Sequence, residues 1–250
     1  MTLRYAAPVE RRVALVTGGA RGIGHACALR LAEAGRAVAV LDVGGGIAEV
    51  CAEIEALGQS ALSLPVDVRD EAAVHAAVAE VVAQWGRLDI LVCCAGVLGV
   101  EQDFREQSAA EFDRVMRINV YGVYYAHQAA IPHMLARGWG RCVTITSGAR
   151  LGAPQFLPYS TSKGAVHALV SSLGNAYPKQ GVLVNGVEPG RALTEMVVPR
   201  FSAEFLANPP NTPIGRYSDA DEVAEVVEFL CSERNTYTTG SVWSCKGGAG

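Results

Sequence analysis

No stretch of this 250-residue chain is long and apolar enough to cross a bilayer; the longest, Ile90 to Val100, is too short and is broken by glycines. The N-terminus also lacks a long apolar signal segment, so the expected location is the cytoplasm. Lys and Arg form no dense run, and a net charge of −4 with a pI near 5.8 argues against a nucleic-acid surface. The seven cysteines, at 27, 51, 93, 94, 142, 231 and 245, are odd in number and show no paired C-x-x-C spacing, which indicates neither a complete disulfide framework nor a zinc site. Five scattered histidines add no ligand cluster, and no metal is expected. Internal repeats, low-complexity linkers and composition breaks are lacking too.

What the chain has is apolar content, 50% hydrophobic residues, enough for one domain over 1–250 that buries a two-sided sheet and leaves no room for a separate substrate domain. Strand-like runs near 13–17, 37–42, 60–66, 89–93, 141–146, 182–187 and 241–244 alternate with helical periodicity. That alternation predicts an α/β fold, a Rossmann-like doubly wound parallel sheet of about seven strands with helices on both faces. Such a sheet binds its ligand beyond the carboxyl ends of the strands, where the strand order reverses. Residues 1–11 read as a short arm. The segment 191–213, with Pro199, Pro209, Pro210 and Pro213, reads as a broken helix and loop lying over substrate.

Two motifs carry chemistry. Val13 to Thr17 runs into Gly18-Gly19-Ala20-Arg21-Gly22-Ile23-Gly24 and then an Ala/Leu-rich stretch, a strand, turn and helix. Glycines there permit positive φ and let backbone N–H groups approach a pyrophosphate at a helix N-terminus. The spacing is Gly18-x-x-x-Gly22-x-Gly24 rather than the usual G-x-G-x-x-G. In the second motif, Tyr159-Ser-Thr-Ser-Lys163, four residues separate a phenol and an ammonium that a helix presents on one face. A nearby cation favours the phenolate, but a shift of about 3 units from a pKa near ~10 needs roughly 4 kcal/mol, more than one solvated lysine gives. A bound cationic cofactor has to contribute the rest.

With Val66-Asp67-Val68, Ala95-Gly96, Asn119, Ser147, Asn185, Pro189-Gly190 and Thr194, the two motifs resemble the short-chain dehydrogenase/reductase family from about Val13 to Gly248. The resemblance implies a nicotinamide-dependent oxidoreductase of secondary alcohols or ketones and a homotetramer. It implies that Tyr159 exchanges a proton with the substrate oxygen, Lys163 lowers the pKa of Tyr159 and bonds the nicotinamide ribose, Ser147 orients the oxygen, and Asn119 holds a water in a relay to Lys163. The alternative for Asn119 is packing against its own backbone. Gly18, Arg21, Gly22, Ile23 and Gly24 would hold pyrophosphate, Asp67 and Val68 adenine, Ala95 and Gly96 also the cofactor, and Pro189, Gly190, Ala192 and Thr194 its carboxamide end. For Asp67 the alternative is capping the following helix. Asp42, ending the second strand, suits a ribose 2′-OH and repels a 2′-phosphate; Arg21 is the counter-signal, and the balance favours NAD.

Three positions depart from the family pattern. Ala192 replaces Ile or Val, at a place expected to act through its backbone. Cys93-Cys94 replaces Asn-Asn, which puts the hydrogen bonding of the fourth strand in question, and Lys246 replaces Asp, with an effect expected on subunit contacts. Glu188 and Arg191 bracket Pro189-Gly190 where small residues are expected. They either pair or reach solvent, or Arg191 meets an anionic group on the substrate. Phe156, Leu157, Met196, Phe201, Phe205 and Leu206 suggest a mainly apolar pocket for a medium-sized secondary alcohol. The competing readings are a 3-oxoacyl thioester reductase, a sugar dehydrogenase and, outside enzymes, a dinucleotide-binding regulatory scaffold.

Overall fold

A computed structural model describes residues 11–194, 198, 202–207 and 212–248. The expected lid residues Met196, Pro199, Phe201, Pro209 and Pro210, the Phe205 side chain and nearly all of the N-terminal arm lie outside that description.

Seven strands form one parallel sheet: β1 Val13–Thr17, β2 Ala37–Asp42, β3 Ala61–Pro65, β4 Ile90–Cys93, β5 Gly140–Ile145, β6 Val182–Pro189 and β7 Val242–Cys245. Their order is β3-β2-β1-β4-β5-β6-β7, so the progression reverses between β1 and β4. Every residue of β1, β4 and β5 is buried, as strands covered on both faces require. Period-2 alternation sends Leu15, Leu41 and Leu91 to one face and Val16, Val40 and Ile90 to the other.

Helices α1 Gly22–Glu33 and α2 Ile47–Ala56 follow the first two strands, and α3 Glu71–Trp85 the third. A longer helical rod consists of α4 Ala109–Met116, a π-turn Arg117–Tyr121 and α5 Gly122–Arg137; then come α6 Leu157–Ala176, α7 Ala203–Ala207 and α8 Ala220–Cys231. Leu31, Ile54 and Leu230 from α1, α2 and α8 cover one face. Val74, Met134 and Val166 from α3, α5 and α6 cover the other. Each such side chain, fully buried, contributes about 1.5–3 kcal/mol.

Two readings are corrected here. Asp67 does not cap the helix after it: Asp70 does, accepting from the Ala73 N–H at 3.0 Å. The Cys93-Cys94 substitution leaves β4 intact. Its backbone ladder runs in full register against β1 and β5, Cys94 N–H donates to Thr17 O at 3.0 Å, and Cys93 is buried in the core. A small, weakly polar thiol can replace an amide here because the main chain, not the side chain, makes the ladder. Among the described residues no helix is long and apolar enough to cross a membrane, and no cluster of His, Cys, Asp and Glu is arranged to hold a metal ion.

Candidate active site

The sheet's reversal places the carboxyl ends of β1 and β4 side by side, and the glycine turn sits on them. Gly18 has φ of +66°, and a Cβ there would lie 2.5 Å from Ala95 N. At Gly24 a Cβ would collide with Gly18 O, so the turn folds onto the first turn of α1 only with hydrogen at that position. Helix α1 starts at Gly22 with Arg21 as N-cap, no side-chain cap and no acidic residue in its first turn. A positive helix end left without its own carboxylate is a seat for a phosphate. Asp42, one strand over, accepts hydrogen bonds from Ala20, Val43 and Gly44 N–H at 3.1, 2.7 and 3.1 Å. Three backbone donors fix this carboxylate beside the turn. Glycines that admit no Cβ, an open helix end and a fixed carboxylate together fit the pyrophosphate and ribose of a dinucleotide.

A cavity of about 890 Å³ runs from this turn to the ends of β5 and β6. Ser147, Tyr159 and Lys163 line it, as does every residue expected to bind cofactor, from Gly18 to Thr194. Asn119 alone among the expected catalytic and cofactor residues does not, and of the residues expected to form an apolar pocket Phe156, Leu157 and Leu206 are not in its lining either. Asn119 is fully buried in the π-turn, with its amide accepting from Val97 N–H at 2.8 Å and donating to Val97 O at 2.9 Å and Ser162 Oγ at 3.0 Å. Both amide hydrogens are thus engaged within the chain while the oxygen keeps one acceptor position, and the side chain does not pack on its own backbone. It pins the segment after β4 to α6. The sequence reading did not include Val97, Arg69, Arg114 or Thr146, which also line the cavity; most adjoin motif residues and carry no signal of their own.

Arg69 changes the adenosine end. It forms a bidentate pair with Asp67, Nη2 to Oδ2 at 2.6 Å and Nε to Oδ1 at 3.1 Å, and this pairing, together with the Arg69 N–H, holds the Asp67 carboxyl below its usual range. A second cation thus stands near Arg21, but its charge is already matched. At the carboxamide end Ala192 N–H donates to Gly190 O at 3.1 Å and Ala192 bridges to Ser218.

At the catalytic end, Tyr159 and Lys163 stand one helical turn apart in α6, with Lys163 Nζ 5.6 Å from the phenol ring centroid. The ammonium does not turn to the hydroxyl; it donates to Ile145 O at 2.7 Å. Burial raises the Tyr159 pKa above its ordinary value, and the Ser147 hydroxyl is the group that draws it back. Burial also takes Lys163 down, from 10.5 to about 8. Desolvation is the largest influence on both groups, and the hydrogen bond with Ser147 is what favours the phenolate. Ser147 itself caps the 3₁₀ turn Gly148–Leu151, accepting from Ala149 N–H at 3.2 Å.

Glu188 does not pair with Arg191. It is buried, and it joins Arg150 Nε at 2.9 Å and Lys246 Nζ at 2.8 Å. Burial alone would raise its pKa, but the hydrogen bonds from Lys246 and Arg150 outweigh that and hold the carboxyl below its usual range. Lys246 therefore braces the β6–β7 edge of the site within the chain.

The family model described as Enoyl-(Acyl carrier protein) reductase matches residues 18–250. Over 248 residues the chain is 36% identical to a 2-dehydro-3-deoxy-L-rhamnonate dehydrogenase (NAD(+)) of Sphingomonas sp. (strain SKA58), covering 98% of this chain and 97% of the relative. It is also 36% identical over 239 residues to a cis-4-hydroxycyclohexanecarboxylate dehydrogenase of Sinomonas cyclohexanicum, covering 95% and 96%. Among solved structures, carveol dehydrogenase from Mycobacterium avium in complex with NAD superposes with a TM-score of 0.90 at 28% identity, covering 98% of this chain and 99% of that one.

Proposed function

The chain belongs to the short-chain dehydrogenase/reductase family and is an NAD-dependent oxidoreductase of secondary alcohols and ketones, and we propose that Tyr159, Ser147 and Lys163 carry the proton side of that reaction. The observation that supports this most directly is the single cavity wall on which the glycine turn, Asp42 and those three residues stand together. When bound, the nicotinamide ring takes up or gives the hydride. The chain's own groups do the rest. Ser147 holds the substrate oxygen, Tyr159 gives it a proton in ketone reduction or takes one in alcohol oxidation, and the Lys163 ammonium supports the charge that develops on the phenol. Asn119 acts at one remove, by fixing Val97 against α6. The assay is NADH formation at 340 nm with a panel of secondary alcohols; no turnover across the panel by a protein that binds NADH would favour the scaffold reading.

The substrate in this reading is medium-sized and mainly hydrophobic. Val97, Leu98 and Ile118 in the cavity lining and the cyclic alcohols named for the relatives support it. A homotetramer in the cytoplasm is the accompanying assignment: large apolar side chains such as Tyr121, Tyr124 and Phe104 are exposed, which fits subunit contacts. Light scattering on the purified protein tests the assembly.

Cofactor choice gives a sharper test. The Asp42 carboxylate, fixed by three N–H groups, would meet a 2′-phosphate with like charge, so Asp42→Ala is expected to raise kcat/KM with NADP by roughly 10-fold or more and to lower that with NAD. Steady-state kinetics with both cofactors measures it. A parent enzyme that already prefers NADPH would show that Arg21 and Arg69 outweigh Asp42.

A further inference from the structure

Two cations meet one carboxylate beside the serine. Lys246 alone matches the charge of Glu188, and the Arg150 contact leaves the cluster with a surplus positive charge. The members differ in access: the Glu188 side chain is 3% exposed, that of Lys246 16% and that of Arg150 27%. The surplus is thus carried at the accessible end, by the residue that stays charged at any working pH. Among the described residues Arg150 uses only Nε in pairing. Its two terminal amino groups remain for a further acceptor.

Position ties the cluster to the reaction. Arg150 follows Ser147 by three residues in the turn that Ser147 caps, and its N–H donates to Ser147 O at 3.2 Å. Glu188 is followed directly by Pro189 and Gly190, which line the cavity, and a Cβ on Gly190 would lie 2.9 Å from Lys246 Cα. Arg150 is not itself among the residues lining the cavity, but its guanidinium is anchored on the turn that starts from the cavity-lining Ser147, and guanidinium–carboxylate pairs are directional as well as strong. Two of the relatives are named for substrates that carry a carboxylate, a rhamnonate and a cyclohexanecarboxylate.

We propose that Arg150, held by Glu188 and freed of net neutralisation by Lys246, is a specificity-determining residue that receives a carboxylate on the substrate. The proposal rests on the dehydrogenase reading above and narrows it to hydroxy acids or keto acids that are otherwise apolar. It places the anion-binding group on the serine turn, where the sequence alone had pointed to Arg191.

The test compares matched substrates: hydroxycyclohexanecarboxylate against the methylcyclohexanol of the same ring positions, and a secondary hydroxypentanoate against the corresponding pentanol, each with NAD. The expected result is a parent preference for the acid in kcat/KM, carried mainly in KM. In Arg150→Ala the acid-to-neutral ratio should fall roughly 10- to 100-fold, the range for losing a charge-assisted hydrogen bond. Arg150→Lys, which keeps the charge without the fork, should retain an intermediate ratio. If Arg150→Ala lowers both members of each pair by one common factor, the cluster is only a brace between the serine turn and the β6–β7 edge and the proposal is overturned. A parent without preference for the acids overturns it as well. Absence of turnover with every alcohol, while NADH binding is retained by fluorescence, defeats instead the dehydrogenase reading beneath it.

Discussion

Tyr159→Phe is expected to lose roughly 10²–10⁴-fold in kcat/KM while binding NADH as the parent does. The substitution removes one oxygen and keeps the ring, so the packing of α6 against the cavity wall survives. What disappears is the exchangeable proton. Burial raises the pKa of this phenol, and the sign has a consequence for direction. A phenol that resists ionisation is a ready acid for ketone reduction, whereas alcohol oxidation needs the phenolate and should therefore speed up as pH rises toward the tyrosine's pKa. Because Ser147 is the group that lowers that pKa, Ser147→Ala should move the rising limb of the oxidation profile to higher pH, besides costing turnover. Initial rates in both directions across pH, with NADH affinity by fluorescence, give the measurement. Turnover of the phenylalanine variant within threefold of the parent removes Tyr159 from the acid/base role.

The parallel strands and the seat of the glycine turn were readable because each rests on local rules, burial on both faces of a parallel strand and φ values open only to glycine. The cavity-lining positions followed for the same reason: they stand at strand ends, and strand ends are visible in the hydrophobic pattern. Partner choice was not. Glu188 was set beside Arg191 by proximity in sequence, but β6–β7 register puts Pro189 opposite Cys245, which brings Lys246 to Glu188, and the serine turn folds Arg150 over the same carboxylate. Neither contact has a local signature. The partners of Asn119 were likewise not visible, since Val97 and Ser162 lie 22 and 43 residues away in sequence. Asp67 and Asp70 were indistinguishable as caps until the helix start was fixed.

Lys163 should also reveal itself through stability. Bringing its pKa from 10.5 to about 8 means that the folded chain holds a charge it would rather give up. That difference corresponds to about 3 kcal/mol against folding at neutral pH. Met in its place keeps the length of the chain and carries no charge, at the cost of a charge-assisted hydrogen bond to Ile145 O, about 2 kcal/mol. Lys163→Met is therefore expected to be more stable than the parent by about 1 kcal/mol at pH 7, or roughly 2–4 °C in Tm for a chain of this size, while losing at least ~10²-fold in turnover. The pH dependence fixes the cause. Below about pH 8 both folded and unfolded lysines are protonated and the penalty is complete; as pH rises from 8 toward 10.5 the folded lysine loses its proton first, the penalty fades, and the parent's Tm should approach that of the variant. Thermal melts of both proteins over that range decide the matter. A variant that is less stable at pH 7, or whose Tm difference does not shrink in alkali, would show that the buried ammonium is not held at a cost to folding.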